Sequence, residues 1–113
     1  MKKVLSLITL LTVSSTAVAG FNGGNASAPK STVAQALKVK QDNTPIQLTG
    51  KIVRQIDNDE FIFKDATGEI KIDVEDHAWQ GLNVTPNDTI TIFGSVDHES
   101  FEANSIEVYR VEK

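Results

Sequence analysis

The sequence predicts a small all-β barrel of five strands, and three observations carry that reading. Two segments, Ile46-Gln47-Leu48-Thr49-Gly50-Lys51-Ile52-Val53 and Ile90-Thr91-Ile92-Phe93-Gly94-Ser95-Val96-Asp97, share one pattern. Each alternates apolar and polar residues and then sets a glycine in mid-strand, the mark of a bulge or bend where a strand curls around a narrow barrel. Further short apolar runs, bounded by turn residues, supply the remaining strands. The chain also has no cysteine. A small domain without disulfides depends on its core alone, and a closed barrel with no long free edges is a sound solution.

The order of elements begins with an expected export signal over residues 1–19. Lys2 and Lys3 give a positive start, Val4 to Val13 a short apolar stretch, and Ala17-Val18-Ala19 a small-residue cleavage site, with cutting expected after Ala19. The apolar stretch is too short for a bilayer, which takes ~20 apolar residues to cross. Of the 113 residues, 19 are then removed and 94 remain, enough for one domain. Without Lys2 and Lys3 the 11 basic residues become 9 against 15 acidic ones, a formal charge of −6. That acidity favours solubility and cationic partners and argues against a polyanion such as nucleic acid.

Residues 20–30 are rich in Gly, Asn, Ala and Ser and read as a flexible leader, with the folded domain spanning 31–113. Thr32 stands three residues before Gln35, the capping-box spacing, and predicts a short N-terminal helix ending near Val39 that covers one barrel end. Asp42-Asn43-Thr44-Pro45 is a turn, and the first strand follows from Ile46 to about Ile56. After Asp57-Asn58-Asp59 comes a second strand, Phe61 to Lys64; Asp65-Ala66-Thr67-Gly68 then reverses the chain into a third, Glu69 to Val74. Ile70, Ile72 and Val74 alternate with Lys71 and Asp73, so this strand has one buried face. Asp76 is expected to cap a single helical turn through Trp79, which Gly81 ends. Thr85-Pro86-Asn87-Asp88 turns into the fourth strand, Thr89 to Val96, and the fifth runs from Ser105 to about Val111. Phe101 and Ala103 have the opposite parity to Ile106 and Val108, so either a bulge lies near Asn104 or Phe101 belongs to the loop.

Five strands with short helices before the first and between the third and fourth match the OB-fold, a small Greek-key barrel. The runs Leu48 to Val53, Phe63 to Ile70, Trp79-Gln80-Gly81, Val84 to Asp88 and Gly94 to Asp97 resemble the bacterial OB-fold (BOF) family of YgiW/YdeI-type periplasmic stress-tolerance proteins. The resemblance covers Thr32 to Lys113. It implies a soluble periplasmic domain associated with tolerance of oxidative, metal, acid or antimicrobial stress and of envelope damage, and it brings no catalytic motif. Where relatives often carry a tryptophan between the last two strands, this chain has Phe101.

OB barrels bind on the outer face of their second and third strands, between the loops joining strands one to two and four to five. Strand alternation turns Glu60, Ile62 and Lys64 and then Glu69, Lys71 and Asp73 outward if Phe61, Phe63, Ile70 and Ile72 point inward. The candidate ligand-binding residues are therefore Ile62, Lys64, Lys71 and Asp73, with Phe101 at the neighbouring loop. Lys64 and Lys71 suit a ligand carboxylate, and Ile62 suits apolar contact. No aromatic stacking platform is expected there, which again argues against single-stranded nucleic acid. The expected partners are a small molecule, a cell-wall saccharide or peptide fragment, or an envelope protein.

Other chemistries fit less well. Asp57-Asn58-Asp59-Glu60 starts like a calcium loop, but Phe61 and Ile62 stand where a further oxygen ligand and a glycine are needed. His77 and His98 each lie beside carboxylates; a metal or cation-binding role would require their two loops to meet. With no cysteine and no serine in a recognisable elbow or lysine-paired motif, no nucleophile is indicated, and the expectation is a non-enzyme without catalytic residues, resident metal or cofactor. Trp79, between a short apolar strand and a glycine, reads as a plug for the barrel end.

Overall fold

A computed structural model of the chain describes residues 28–113. The expected signal peptide, its cleavage after Ala19 and most of the expected leader lie outside the described residues. The elements are α1 (Val33–Lys38), β1 (Thr44–Gln55), β2 (Glu60–Asp65), β3 (Gly68–Val74), α2 (Asp76–Trp79), β4 (Ile90–Asp97) and β5 (Ser105–Glu112). The strands close into a barrel in the order β1-β2-β3-β5-β4, with β3 and β5 parallel and every other pair antiparallel. This is the OB-fold arrangement the strand pattern predicts, and each strand falls within two residues of its expected limits.

Closure depends on the two glycines. β1 pairs with β4 from Thr44 through Gly50 and with β2 from Lys51 onward, so the strand changes partner at Gly50. A Cβ added there would lie 2.2 Å from the Lys64 carbonyl oxygen, and one added at Gly94 would lie 2.0 Å from that of Glu107. Only a residue without a side chain lets the backbones approach so closely. Two register shifts flank these bends, one between Ile52 and Arg54 opposite β2 and one between Phe93 and Gly94 opposite β5. Alternation then puts Leu48, Phe63, Ile72, Ile92 and Ile106 in a core where all five are fully buried.

The helices sit at opposite ends of β3. Thr32 Oγ1 accepts from the Gln35 amide at 3.2 Å, and Gln35 Oε1 accepts from the Thr32 amide at 3.2 Å, the reciprocal box its spacing predicts. The β2–β3 turn adds a second tie: Asp65 Oδ2 accepts from the Val33 amide and Thr67 Oγ1 from the Ala34 amide, both at 2.9 Å. α1 thus lowers Val33 and Ala36 into the core. At its C-terminal end Ala36 O accepts from the Val39 amide at 3.3 Å, and the buried Asn104 adds a second tie, its Nδ2 donating to Ala36 O at 2.9 Å and to Val39 O at 2.7 Å.

Three sequence-based details change. Asp76 lies within α2 and is not its cap; Glu75 holds the N-cap position without a side-chain bond. Gln80, at φ 51°, is the left-handed C-cap ahead of Gly81. Lys30, expected in the leader, bridges Gln47 in parallel, with Gln47 N donating to Pro29 O and Ser31 N to Gln47 O at 2.9 Å each. The first half of β1 has β4 on one side only, and this short segment supplies partners for Gln47 on the other.

Candidate functional site

The strand register arranges the outer face in rows. Ile62 lies opposite Arg54 of β1 on one side and Lys71 of β3 on the other, and Lys71 in turn lies opposite Ser105. One step along, Lys64 lies between Lys51 and Glu69. One step the other way, Asp73 lies between Glu60 and Glu107. The expected Ile62, Lys64, Lys71 and Asp73 are thus brought onto neighbouring rows. Phe101 is in the β4–β5 loop, with φ 72° and its ring fully exposed. Of the two alternatives for Phe101, the loop assignment holds, and Asn104 is the residue that turns inward.

Charge on this face is segregated, which composition alone does not reveal. Lys51 and Arg54 of β1, Lys64 of β2 and Lys71 of β3 gather around Ile62, all four exposed, with the exposed Glu69 opposite Lys64 at their margin. Glu60, Asp73 and Glu107 form an acidic row toward β5. Burial raises the Asp73 carboxyl pKa, helped by the negative charges of Asp59, Glu60 and Glu75. Glu107 is raised likewise, by burial and then by Asp73, Asp97 and Glu75. Lys71 and Glu60 meet across the boundary at 3.8 Å, an exposed pair that contributes little.

Sequence reasoning missed Lys51, Arg54 and Glu107. Alternation turns Lys51 and Glu107 outward, but Arg54 shares the parity of buried Leu48 and Ile52 and faces outward only through the register shift after Ile52, while the neighbours of Glu107 follow from the parallel β3–β5 pairing. It also missed an outward aromatic, Phe93, whose ring is covered by the Arg110 guanidinium 4.0 Å from its centroid. That ring is no more available for stacking than the absent one on β2 and β3.

Two surface grooves adjoin the basic half. One, about 500 Å³, is lined by Arg54, Phe61, Trp79, Leu82 and Val84 among others. Trp79 here packs against the core and meets Phe61 edge to face, with centroids 5.5 Å apart, as its reading as an end plug requires. The other, about 600 Å³, lies where β1 changes partner and runs between Lys51, Lys64, Val53, Ala66 and Pro86. The histidines stay apart. His77 Nδ1 lies 3.8 Å from Glu75, whereas His98 Nδ1 bonds Asn104 Oδ1 at 2.8 Å. Among the described residues no group of three or more His, Cys, Asp or Glu side chains is arranged to hold a metal ion.

The sequence matches the Bacterial OB fold (BOF) protein family over residues 12–113. The chain belongs to that family. It is 34% identical to YgiW of Escherichia coli K12, across 96% of this chain and 92% of YgiW. The solved structure of E. coli YgiW superimposes with a TM-score of 0.72 at 38% identity, covering 83% of this chain and 97% of that one. An uncharacterized protein of Haemophilus influenzae is 44% identical across 98% of each chain. CarO of Pseudomonas aeruginosa, described as a calcium-regulated OB-fold protein, is 33% identical across 74% of this chain and 72% of its own. None of these BOF relatives carries an enzymatic name, and no helix among the described residues is long and apolar enough to cross a membrane.

Proposed function

We propose that this BOF protein is an exported, non-enzymatic binding domain. It acts in the periplasm after cleavage at Ala19 and supports tolerance of envelope stress by holding a small ligand, a cell-wall saccharide or peptide, or another envelope protein. The observation that carries the reading is the outer face of β2 and β3, where Ile62 stands between cationic Arg54 and Lys71 beside an acidic row. Such a face pairs one apolar contact with charges of both signs, the equipment for a zwitterionic or peptide-like ligand. The Lys2-Lys3 start and the Val4 to Val13 apolar stretch support export.

The test is retention of the protein on fragmented cell wall and on periplasmic extract, with a Lys64→Glu/Lys71→Glu variant in parallel. Recovery of a specific partner that the variant loses is the expected result. Equal retention of both proteins would remove the face from the reading.

A second reading, cation binding, draws on the raised carboxyl pKa values of Asp73 and Glu107 and on CarO's description as calcium-regulated. The two histidines contribute nothing to it, since they point to different partners. Calorimetry with calcium, zinc and copper separates the readings, and heat no greater than buffer dilution would end this one.

A further inference from the structure

We infer that the groove at the β1 bend binds an anionic amphiphile, with its phosphate or carboxylate head held between Lys51 and Lys64 and its alkyl portion lying along Val53, Ala66 and Pro86. The inference deepens the binding reading above by naming a ligand chemistry, and rests on it, but it centres on the groove at the β1 bend and shares with the proposed face only the Lys51–Lys64 row.

The first observation is a charge conflict. Lys51 and Lys64 are directly opposed across β1 and β2, where side chains of one face lie about 4.5–5.5 Å apart at Cβ. Like charges so placed weaken a strand pair. Among the described residues neither lysine has an acidic partner within 4.0 Å, since the ion pairs there join Lys71, His77, Arg110 and Lys113 to their acids. Glu69 stands across from Lys64 on its other side but forms no ion pair with it; in a chain with a formal charge of −4 and 15 acidic residues, two opposed cations that no acid has paired form a receptor for an outside anion.

The second observation is what lies beside them. The groove of about 600 Å³ is walled mainly by apolar atoms, and Val53, turned outward by alternation next to the buried Ile52, is an exposed large aliphatic within it. Pro86 and Thr89 close the far side from the loop before β4. The volume is in the range of small-ligand sites, and its walls suit a hydrocarbon chain. An inorganic anion would leave that wall wet, and an uncharged tail would leave the lysines unpaired. Only a molecule with both parts satisfies the whole groove. A nucleic-acid strand would satisfy the lysines, but the groove offers its bases no exposed ring.

The test is calorimetry and amide chemical-shift mapping on the purified protein with octyl phosphate, octanoate, inorganic phosphate, octyl glucoside and a short oligothymidylate. Octyl phosphate or octanoate is expected to bind at least tenfold more tightly than the other three, shifting Lys51, Val53, Lys64 and Thr89; the tighter of the two identifies the head group. Lys51→Glu should lower that affinity at least tenfold while raising the thermal midpoint, because it replaces a like-charge pair by an opposite one. Lys40→Glu, at an exposed lysine outside both the groove and the β2–β3 face, should leave it unchanged, and because this titration needs no cell-wall partner, a failure here is distinguishable from a failure of the β2–β3 face. Equal affinity for octyl glucoside and octyl phosphate, tighter binding of the oligonucleotide, or undiminished binding by Lys51→Glu would each overturn the inference.

Discussion

Replacing Gly94 by alanine should destabilise the barrel severely, although alanine normally suits a folded chain better than glycine. At a position with room and ordinary backbone angles, Gly→Ala stabilises by about 0.4–1 kcal/mol through the unfolded chain. Here the new Cβ would meet the Glu107 carbonyl oxygen at 2.0 Å and carbonyl carbon at 2.9 Å. Ordinary contact begins near 3.4 Å, so the β4 and β5 backbones must separate by more than an ångström within a hydrogen-bonded ladder. Forced overpacking of a well-filled core costs about 1–3 kcal/mol. A clash with backbone rather than a movable side chain belongs at or beyond the top of that range. At about 4–8 °C per kcal/mol for a domain of this size, the thermal midpoint should fall by roughly 12 °C or more. Gly50→Ala, whose Cβ would lie 2.2 Å from Lys64 O, should behave alike. Gly68→Ala is the internal control, since its Cβ would sit 3.6 Å from Val33 Cγ1 in normal contact. Circular-dichroism melts of the three variants decide the matter. If Gly94→Ala melted with the parent protein, or Gly68→Ala fell as far, close approach would not be what these glycines provide.

Asn104→Ala removes donors to Ala36 O and Val39 O and the acceptor for His98, and should cost about 2–3 kcal/mol in urea unfolding. Asn104→Asp should cost more, because it sets a carboxylate against two carbonyls. Burial tends to raise the Asp65 pKa, but hydrogen bonds from Thr67, Val33 and Gly68 outweigh it and lower the value. Its contribution is therefore full above the ordinary carboxylate range and lost as pH falls through the folded-state value; Asp65→Asn should reduce stability at pH 7 and flatten the acid limb of a pH–stability curve. Asp73 and Glu107 act in the opposite sense. Their raised values mean that the folded chain binds more protons than the unfolded chain in mild acid, so stability declines as pH rises through them. Glu107→Gln should raise the midpoint at pH 7 and leave it unchanged well below the ordinary carboxylate range.

The sequence by itself determined the barrel. Period-two alternation over Ile46 to Ile52 and Ile70 to Val74 fixes which side chains are buried, and local turn and capping chemistry at Thr32, Asp65 and Pro86 fixes where elements start and stop. These signals lie within a few residues of one another, so they survive without knowledge of the rest of the chain. Outward residues such as Ile62, Lys64, Lys71 and Asp73 were legible for the same reason. What stood beside them was not. That Lys51 opposes Lys64, that Asp73 is flanked by both Glu60 and Glu107, and that Asn104 reaches back to close α1 depend on which strands pair and on one-residue register shifts. Those are non-local quantities: a slip of one residue leaves the composition intact yet exchanges every neighbour and face. Only the closed tertiary structure therefore decided that the charges of this face would separate into a cationic side and an acidic one.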